Sequence, residues 1–364
     1  TRSTAEPPGG EIRRDKSGEP TGVFTETAMR LVADVIPPPT DAELREMIVA
    51  ATRRQLSMGI TAATDPGVDN RVLRVYREMD AAGELPGRYN VMRLAPEDPE
   101  SEAMAEWRPP TTSDHLRVDT AKLFMDGGLS GATAALSVPY RHANTTGVLR
   151  YDAKRYGELC CKATDAGYRV ATHVIGDRAI ATALDAWEQL PEAARNARFE
   201  HFGLPTERDL QRTANLGIGI ATQPIFLPEL GANFREYLPD DFPVTPYPIQ
   251  QMQAAGLRVA LSTDAPVVVD ERPLAGIAAA VHRLDGDGQP IGLEESIPLR
   301  EALLGYTNAG AELTGDAKRF GSITPGLAAD LVVLDRSPLD TRLDELADIG
   351  VDLTFVDGEI VYQR

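Results

Sequence analysis

The chain of 364 residues is 42% hydrophobic and 25% charged, a balance that suits one large domain or one domain with a small satellite. Its formal net charge of −18 disfavours binding to phosphate backbones or anionic membranes, and no stretch approaches the roughly 18 apolar residues that a membrane-spanning helix needs. The only two cysteines, Cys160 and Cys161, are adjacent, which disfavours a disulfide between them and favours the reducing cytoplasm. We expect neither nucleic acid nor membrane as a partner, whereas a homo-oligomer stays open.

The first part of the chain gives two different signals. Residues 1–20 are polar and contain a Pro-Pro-Gly-Gly run, which predicts a long loop or arm. Thr40 and Glu43 then form a capping box ahead of apolar residues at helical spacing, so we predict a helix that begins at Thr40. A buried strand over 59–65 follows this helix.

Strands and helices alternate from there to about residue 264. Consecutive strands that are separated by helices favour a parallel (β/α)8 barrel, with a doubly wound open sheet as the alternative. The pattern contains seven strands, one fewer than a closed barrel of this kind. The predicted strands cover residues 59–65, 89–94, 120–126, 168–173, 197–201, 217–222 and 257–264.

The end of the chain has a different character. Residues 331–335 and 353–362 read as strands, and Asp357-Gly358 is a strong signal for a hairpin turn inside the second stretch. We therefore predict an incomplete barrel domain over residues 1–320 and a small β-sandwich part over residues 321–364.

Four positions with catalytic potential stand at predicted carboxyl ends of strands: Lys122 (or its neighbour Asp126), His173, His201 and Asp264. His173 and His201 are 28 residues apart, about one strand and one helix, so consecutive parallel strands can bring both imidazoles to the same edge. After His173, a helix is predicted with Asp177 as its cap. Two imidazoles with a carboxylate suit Zn²⁺ or a similar divalent ion.

Each of these residues also has a structural interpretation. A histidine at a strand end is often hydrogen-bonded for structure alone, and a lysine in an apolar strand usually extends its ammonium group to water. In the functional interpretation, a neutral Lys122 amine takes up carbon dioxide and presents a carbamate to cations. Asp264, which precedes Ala-Pro, is either a turn former or a proton shuttle beside an activated water.

The motifs taken together resemble the amidohydrolase superfamily, in the branch that holds YtcJ-like proteins and N-substituted formamide deformylases. The resemblance covers most of the chain and preserves the order of the motifs. They are Lys122-Leu-Phe-Met-Asp-Gly-Gly-Leu-Ser130, His173-Val-Ile-Gly-Asp-Arg-Ala179, Phe199-Glu-His201, Thr222-Gln-Pro224, Ser262-Thr-Asp-Ala-Pro266 and the stretch from Gly321 to Asp335.

The resemblance implies a metal-dependent hydrolase of C–N bonds of the amide or formamide type in small, non-peptide molecules. It implies one or two divalent ions, with Zn²⁺ expected, held by His173, His201 and a carboxylated Lys122. Asp264 corresponds to the catalytic aspartate, which is also expected as a metal ligand and passes a proton from water to the leaving amine. We further expect the substrate to contact a second set of side chains, and we expect the loops 139–147 and 225–247 to line the pocket. These side chains are Asp126, Arg178, Gln223 and His282.

The sequence departs from this family in one respect. Family members carry a His-x-His pair on the first barrel strand, and this sequence contains none. We therefore expect the first strand and an upstream portion of the sandwich to be missing from the chain. The alternative function is a truncated, metal-poor and inactive remnant that acts at most as a binding module; a further alternative is that another chain supplies the missing strand.

Overall fold

The computed structural model describes residues 1–7, 10–96, 107–142, 144–191 and 197–364, and the polypeptide divides into two units, Thr1–Met47 and Ile48–Arg364. The strands are β1 (Gly10–Arg14), β2 (Pro20–Glu26), β3 (Ala62–Val68), β4 (Arg88–Leu94), β5 (Thr111–Thr112), β6 (Leu116–Phe124), β7 (Arg169–Val174), β8 (Ala197–His201), β9 (Gly219–Thr222), β10 (Val259–Leu261), β11 (Leu331–Leu334), β12 (Val351–Val356) and β13 (Glu359–Gln363). The helices are α1 (Arg30–Ala33), α2 (Asp41–Ser57), α3 (Asn70–Ala82), α4 (Ala153–Asp165), α5 (Asp177–Gln189), α6 (Glu207–Leu216), α7 (Phe226–Tyr237), α8 (Ile249–Ala254), α9 (Pro273–His282), α10 (Leu299–Gly305) and α11 (Asn308–Thr314).

The first unit contains an antiparallel hairpin of β1 and β2. Asp15 organises its turn, since the carboxylate accepts hydrogen bonds from the backbone N–H groups of Ser17 and Glu19 at 2.8 and 3.0 Å. Gly18 completes the turn with a φ of 86°, a value that glycine adopts without strain. The prediction of a long loop is therefore wrong over residues 10–20, where turn-forming residues connect two short strands. Pro8 and Gly9 of the Pro-Pro-Gly-Gly run lie outside the described residues.

The predicted capping box is present at the start of α2. The backbone N–H of Thr40 donates to the Glu43 carboxylate at 2.6 Å, and the N–H of Glu43 donates to the Thr40 hydroxyl at 3.2 Å. These bonds satisfy backbone donors that have no partner inside the helix. The capping sequence thus fixes where α2 begins.

Seven parallel strands form the main sheet of the second unit, in the order β10-β9-β8-β7-β6-β4-β3, and the short β5 pairs antiparallel with β6. Spatial order follows chain order throughout, whereas a doubly wound sheet reverses direction at its centre. The sheet is curled in the manner of an incomplete barrel. The predicted barrel-type fold is therefore confirmed, and the doubly wound alternative is wrong.

Register brings the functional strand ends level with one another. His173 of β7 lies opposite Glu200 of β8, and Val174 lies opposite His201. The strand β10 ends at Leu261, earlier than predicted, so Asp264 lies in the loop that follows it. All of these residues consequently stand at the same edge of the parallel sheet.

The helix after His173 begins differently from the prediction. Gly176 is the residue at its N-cap, and Asp177 is the first helical residue. The Asp177 carboxylate instead accepts a hydrogen bond from the backbone N–H of Ser137 at 2.9 Å. The predicted capping role of Asp177 is wrong because a loop from a different part of the chain takes its side chain.

A separate antiparallel sheet of β11, β12 and β13 follows the barrel strands. Asp357 and Gly358, at the predicted hairpin turn, have φ values of 53° and 83°, as a two-residue hairpin turn of this hand requires. The predicted β appendage is thus confirmed. No helix within the described ranges combines the length and apolar character needed to cross a membrane.

Candidate active site

The structure brings the two strand-end histidines together. The ring centroids of His173 and His201 are 4.4 Å apart, and their planes meet at 64°. Adjacent parallel strands carry them, so the register of β7 and β8 sets this separation. The expected convergence of the imidazoles is present, while their role as metal ligands stays a prediction.

One nitrogen of each imidazole faces a protein oxygen. Nε2 of His173 lies 3.2 Å from the carbonyl oxygen of Gly127, and Nδ1 of His201 lies 2.8 Å from Oε1 of Gln223. A carbonyl oxygen only accepts hydrogen bonds, so Nε2 of His173 carries the proton and Nδ1 keeps the lone pair. His201 has the opposite arrangement: its Nδ1 carries the proton, and its Nε2 keeps the lone pair.

Burial keeps both imidazoles neutral. It lowers the pKa of His173 well below the ordinary value, and the nearby His201 and the ammonium of Lys122 lower it further. Burial and then Lys122 lower the pKa of His201 to about 4. Neutral imidazoles are the form that binds metal ions.

Lys122 lies on β6 and is buried, with an exposed fraction of 3%, so its ammonium group does not extend to bulk water. Its Nζ lies 4.9 Å from the centre of the Phe124 ring. Burial lowers the pKa of Lys122 to about 8, against the opposing charges of Glu200 and Asp264. An amine with this pKa is neutral in an appreciable fraction of molecules near pH 7.5.

Asp264 follows β10 and has a φ of 57°, in the left-handed region that aspartate tolerates better than most residues. Its carbonyl oxygen accepts a hydrogen bond from the N–H of Val267 at 2.9 Å, so the residue does form a turn. Burial raises the pKa of the Asp264 carboxyl to about 6; the charge of Glu200 raises it too, whereas Lys122 lowers it. Asp264 therefore forms a turn and also has a carboxyl group with a raised pKa.

Arg198 and Glu200 form a buried ion pair that we did not predict from the sequence. Nη2 of Arg198 donates to Oε2 of Glu200 at 3.0 Å, and Nε donates to Oε1. Burial opposes the charge on Glu200, but Arg198 outweighs it and holds the pKa of Glu200 at about 2. The sequence does contain a signal for this pair: residues two apart on a strand lie on the same face, so Arg198 and Glu200 of β8 must be neighbours.

The four predicted substrate contacts lie in different places. The Asp126 carboxylate is buried and accepts hydrogen bonds from the backbone N–H groups of Ala135, Ile175 and Gly176 at 2.8 to 3.0 Å. Burial raises the pKa of Asp126 to about 7. With three backbone donors on its two oxygens, Asp126 joins loops at the strand ends.

Arg178 and His282 do not lie at the inner face of the curled sheet, where the main cavity is found. Arg178 is half-buried in the first turn of α5, and its N–H donates to the carbonyl of Ala135 at 3.1 Å. Nε2 of His282, at the end of α9, lies 2.7 Å from the carbonyl oxygen of Leu343. Neither residue lines the cavity on the inner face of the curled sheet, so their positions give no support to the predicted substrate contact.

A cavity of about 860 Å³ runs along the inner face of the curled sheet. At the carboxyl ends of the strands it is lined by Lys122, Glu200, His201, Gln223, Ser262 and Asp264. Gln223 is thus the one member of the predicted substrate-contact set that reaches it.

The described residues of the loops 139–147 and 225–247, which we expected to line the pocket, do not line this cavity. The helix α7 forms the first half of the segment 225–247. Its Phe226 and Phe234 pack with Tyr247 in an apolar cluster. Phe226 also stacks on the His201 ring, with centroids 6.0 Å apart and planes at 14°. The apolar side chains of this segment thus bury one another, and the cavity gives no support to the expected lining role of either loop.

The donor set fits a divalent metal ion in part. Two neutral imidazoles, each fixed by a hydrogen bond through its other nitrogen, match the usual environment of metal-binding histidines. Within the part of the chain that the structure describes, no three Asp, Glu, His or Cys side chains form a group able to hold a metal ion. A further donor, such as a carbamate on Lys122, is therefore needed beside the two imidazoles.

The curled parallel sheet and its strand-end imidazole pair define an α/β barrel-type protein. Its candidate site lies at the carboxyl ends of the strands, where barrels of this type hold their active sites. The chain belongs to the amidohydrolase family, whose model matches residues 1–362. The resemblance inferred from the motifs is thereby confirmed.

Two relatives match along almost the whole chain. It is 28% identical over 376 residues to the Bacillus subtilis (strain 168) protein YtcJ, named as an amidohydrolase, covering 100% of this chain and 70% of YtcJ. It is 30% identical over 379 residues to an N-substituted formamide deformylase from Arthrobacter pascens, covering 99% of this chain and 69% of that enzyme.

Solved structures show the same fold. Uncharacterized metal-dependent hydrolases from Pyrococcus horikoshii and Pyrococcus furiosus superpose with TM-scores of 0.75 and 0.74 at 25% and 26% identity. The matches cover 87% and 86% of this chain, and 64% of each Pyrococcus chain. The chain thus spans less than two thirds of the length of these two solved proteins.

Proposed function

We propose that the chain is a metal-dependent hydrolase that cleaves a C–N bond of the amide or formamide type in a small, non-peptide molecule. The observation that carries this proposal is the pair of neutral imidazoles 4.4 Å apart at one edge of the sheet. The name of the Arthrobacter formamide deformylase supports the type of bond, and the names of the Pyrococcus metal-dependent hydrolases support hydrolysis that depends on a metal ion.

His173 and His201 would hold a divalent ion, for which Zn²⁺ is our expectation, with Lys122 as a third donor after carboxylation. The neutral Lys122 amine forms a bond to the carbon of carbon dioxide and releases one proton to solvent, which gives an anionic carbamate with oxygen donors. A bound divalent ion polarises a carbonyl oxygen and lowers the pKa of water. The positive charge of Arg198 offsets the negative charge of Glu200, so Glu200 does not oppose a carbamate on Lys122 with an unpaired charge.

Asp264 is the proposed proton carrier. With a pKa of about 6, its carboxylate is largely ionised at pH 7 and accepts a proton from the attacking water. The water oxygen bonds to the acyl carbon, the C–N bond breaks, and Asp264 returns the proton to the departing nitrogen. One formamide and one water thus give one amine and one carboxylic acid.

Metal content and formate release test this proposal on the 364-residue chain. Zn²⁺ is added to the metal-free protein, and N-butylformamide and N-butylacetamide serve as paired substrates. We expect formate release that depends on Zn²⁺, and a loss of about 100-fold or more in kcat for Asp264→Asn. The variants His173→Ala and His201→Ala are expected to retain less Zn²⁺ after gel filtration.

The exposed residue His142 offers a matched control. His142→Ala should leave both Zn²⁺ content and turnover unchanged. Zn²⁺ content that is equal in the wild type and the His173→Ala/His201→Ala double variant would contradict the proposed site. Turnover that persists in Asp264→Asn would contradict the role of Asp264.

A further inference from the structure

Gln223 connects the ends of three neighbouring strands. It follows the last residue of β9 and has an exposed fraction of only 3%. Its Oε1 lies 2.8 Å from Nδ1 of His201 at the end of β8, and its Nε2 lies 2.8 Å from Oγ of Ser262 just after β10. Both ends of the amide are therefore occupied by protein groups.

A third contact distinguishes the two orientations of this amide. Nε2 of Gln223 also lies 3.4 Å from the carbonyl oxygen of Ala221. A carbonyl oxygen only accepts hydrogen bonds, so a rotated amide would place one carbonyl oxygen against another. The nitrogen therefore belongs on the side of Ser262 and Ala221, and the oxygen belongs on the side of His201.

This orientation decides the tautomer of His201. Oε1 of Gln223 only accepts, so Nδ1 of His201 must carry the ring proton and Nε2 must keep the lone pair.

Two further hydrogen bonds hold the neighbouring strand ends in register. The Thr222 hydroxyl donates to the carbonyl of His201, and the N–H of Ser262 donates to the carbonyl of Thr222, both at 2.9 Å.

We propose that Gln223 is a positioning residue that fixes the Nδ1–H tautomer of His201 and so presents Nε2 to a divalent ion. From the sequence we expected Gln223 to contact substrate; in the structure both ends of its amide have protein partners, which favours a positioning role. The proposal rests on the proposed function for the role of the ion, whereas the tautomer itself is a property of the metal-free chain.

The imidazole nitrogens report the tautomer directly. The chain has five histidines, so a long-range ¹H–¹⁵N correlation spectrum of the full chain with labelled histidine shows few signals. In the metal-free wild type we expect Nδ1 of His201 to be protonated and Nε2 to be unprotonated. His173, whose partner is a backbone carbonyl, should show the opposite pattern and serves as an internal reference.

Two substitutions at Gln223 separate tautomer control from packing. Gln223→Leu removes the acceptor at similar volume, so the His201 signals should move toward a mixture of both tautomers while those of His173 stay in place. Gln223→Glu keeps an acceptor oxygen and should retain the Nδ1–H signal. The proposal is overturned if His201 is protonated at Nε2 in the wild type, or if Gln223→Leu leaves the His201 signals unchanged.

Zn²⁺ binding, measured by competition with a chromophoric chelator, gives a second readout. Gln223→Leu should weaken the affinity by about 10- to 100-fold, as is typical when the partner of a metal-binding histidine is removed. The exposed Gln189, on α5, supplies a matched control in Gln189→Leu, which should bind like the wild type. Equal affinities in the wild type and Gln223→Leu would overturn the positioning role.

The two readouts also separate this inference from the proposed function. A wild-type chain with the expected tautomer that binds no Zn²⁺ contradicts the proposed function and supports the tautomer assignment. A chain that binds Zn²⁺ through His201 while Gln223→Leu leaves tautomer and affinity intact contradicts only the inference.

Discussion

Gly176 illustrates how a single atom limits the sequence near the candidate site. A Cβ placed on this residue would overlap with the backbone of Ala135, and the neighbouring N–H groups of both residues donate to the same Asp126 oxygen. The φ of Gly176 is −71°, which any residue can adopt. Space, and not backbone conformation, therefore requires glycine here.

We predict that Gly176→Ala destabilises the chain by about 1–3 kcal/mol, because the added methyl group must displace backbone atoms. Urea unfolding followed by circular dichroism measures the change. Gly310→Ala is the matched control: it lies within α11 with open space around its Cα, so it should stabilise by about 0.5–1 kcal/mol. Equal stability of the wild type and Gly176→Ala would refute the close contact.

At the scale of elements, arginine and aspartate side chains join the amino ends of barrel strands to segments far along the chain. Arg117 on β6 donates to the Asp316 carboxylate, which follows α11, at 2.7 to 3.2 Å. Arg319 donates to the same carboxylate at 2.7 Å. Burial by itself would raise the pKa of Asp316, but Arg117 and Arg319 hold it below its ordinary value.

The lowered pKa gives this contact a defined pH dependence. A carboxyl with a lowered folded-state pKa adds stability above its unfolded pKa, near about 4, and loses it as the pH falls through the folded pKa. We expect Asp316→Asn to lower the free energy of unfolding at pH 7 by on the order of 3 kcal/mol. The difference from the wild type should shrink between pH 4 and pH 2.

Urea midpoints at pH 7, 4 and 2 check this prediction. The exposed Asp240 provides a control, since Asp240→Asn removes only an ion pair at the surface and should change little at any pH. A difference between wild type and Asp316→Asn that stays constant from pH 7 to pH 2 would show that the carboxylate charge plays no part.

At the scale of the whole second unit, Arg88 ties the C-terminal sheet to the barrel strands. Nε and Nη2 of Arg88, on β4, donate to the two oxygens of Asp330 at 2.6 and 3.0 Å. The side chains have exposed fractions of 5% and 3%. Asp330 immediately precedes β11, and it also accepts a hydrogen bond from the N–H of Asp357 at the hairpin turn.

We predict that Arg88→Met destabilises the chain by about 3–5 kcal/mol, because Asp330 is left as a buried charge without its partner. Hydrogen exchange should accelerate in β11, β12 and β13 before it does in β6 and β7. Arg88→Lys should recover only part of the loss, since lysine keeps the charge but not the two-pronged geometry. Arg342→Met, at an exposed pair, is the control. Unchanged exchange in the C-terminal sheet would contradict the prediction.

Local patterns in the sequence were enough for the barrel-type fold and for the order of its strands. The alternation of strands and helices, the Thr40 capping box and the Asp357-Gly358 turn depend on neighbours a few residues away, and each is found in the structure. The spacing of His173 and His201 also placed both imidazoles at one edge, because consecutive parallel strands repeat the same geometry.

Only the tertiary structure decided which groups these side chains meet. The amide of Gln223 is held between His201 and Ser262, and the carboxylate of Asp126 collects three N–H groups from two loops. Such partners are 9 to 50 residues apart along the chain, and their pairing depends on strand register and loop packing, to which no local periodicity refers.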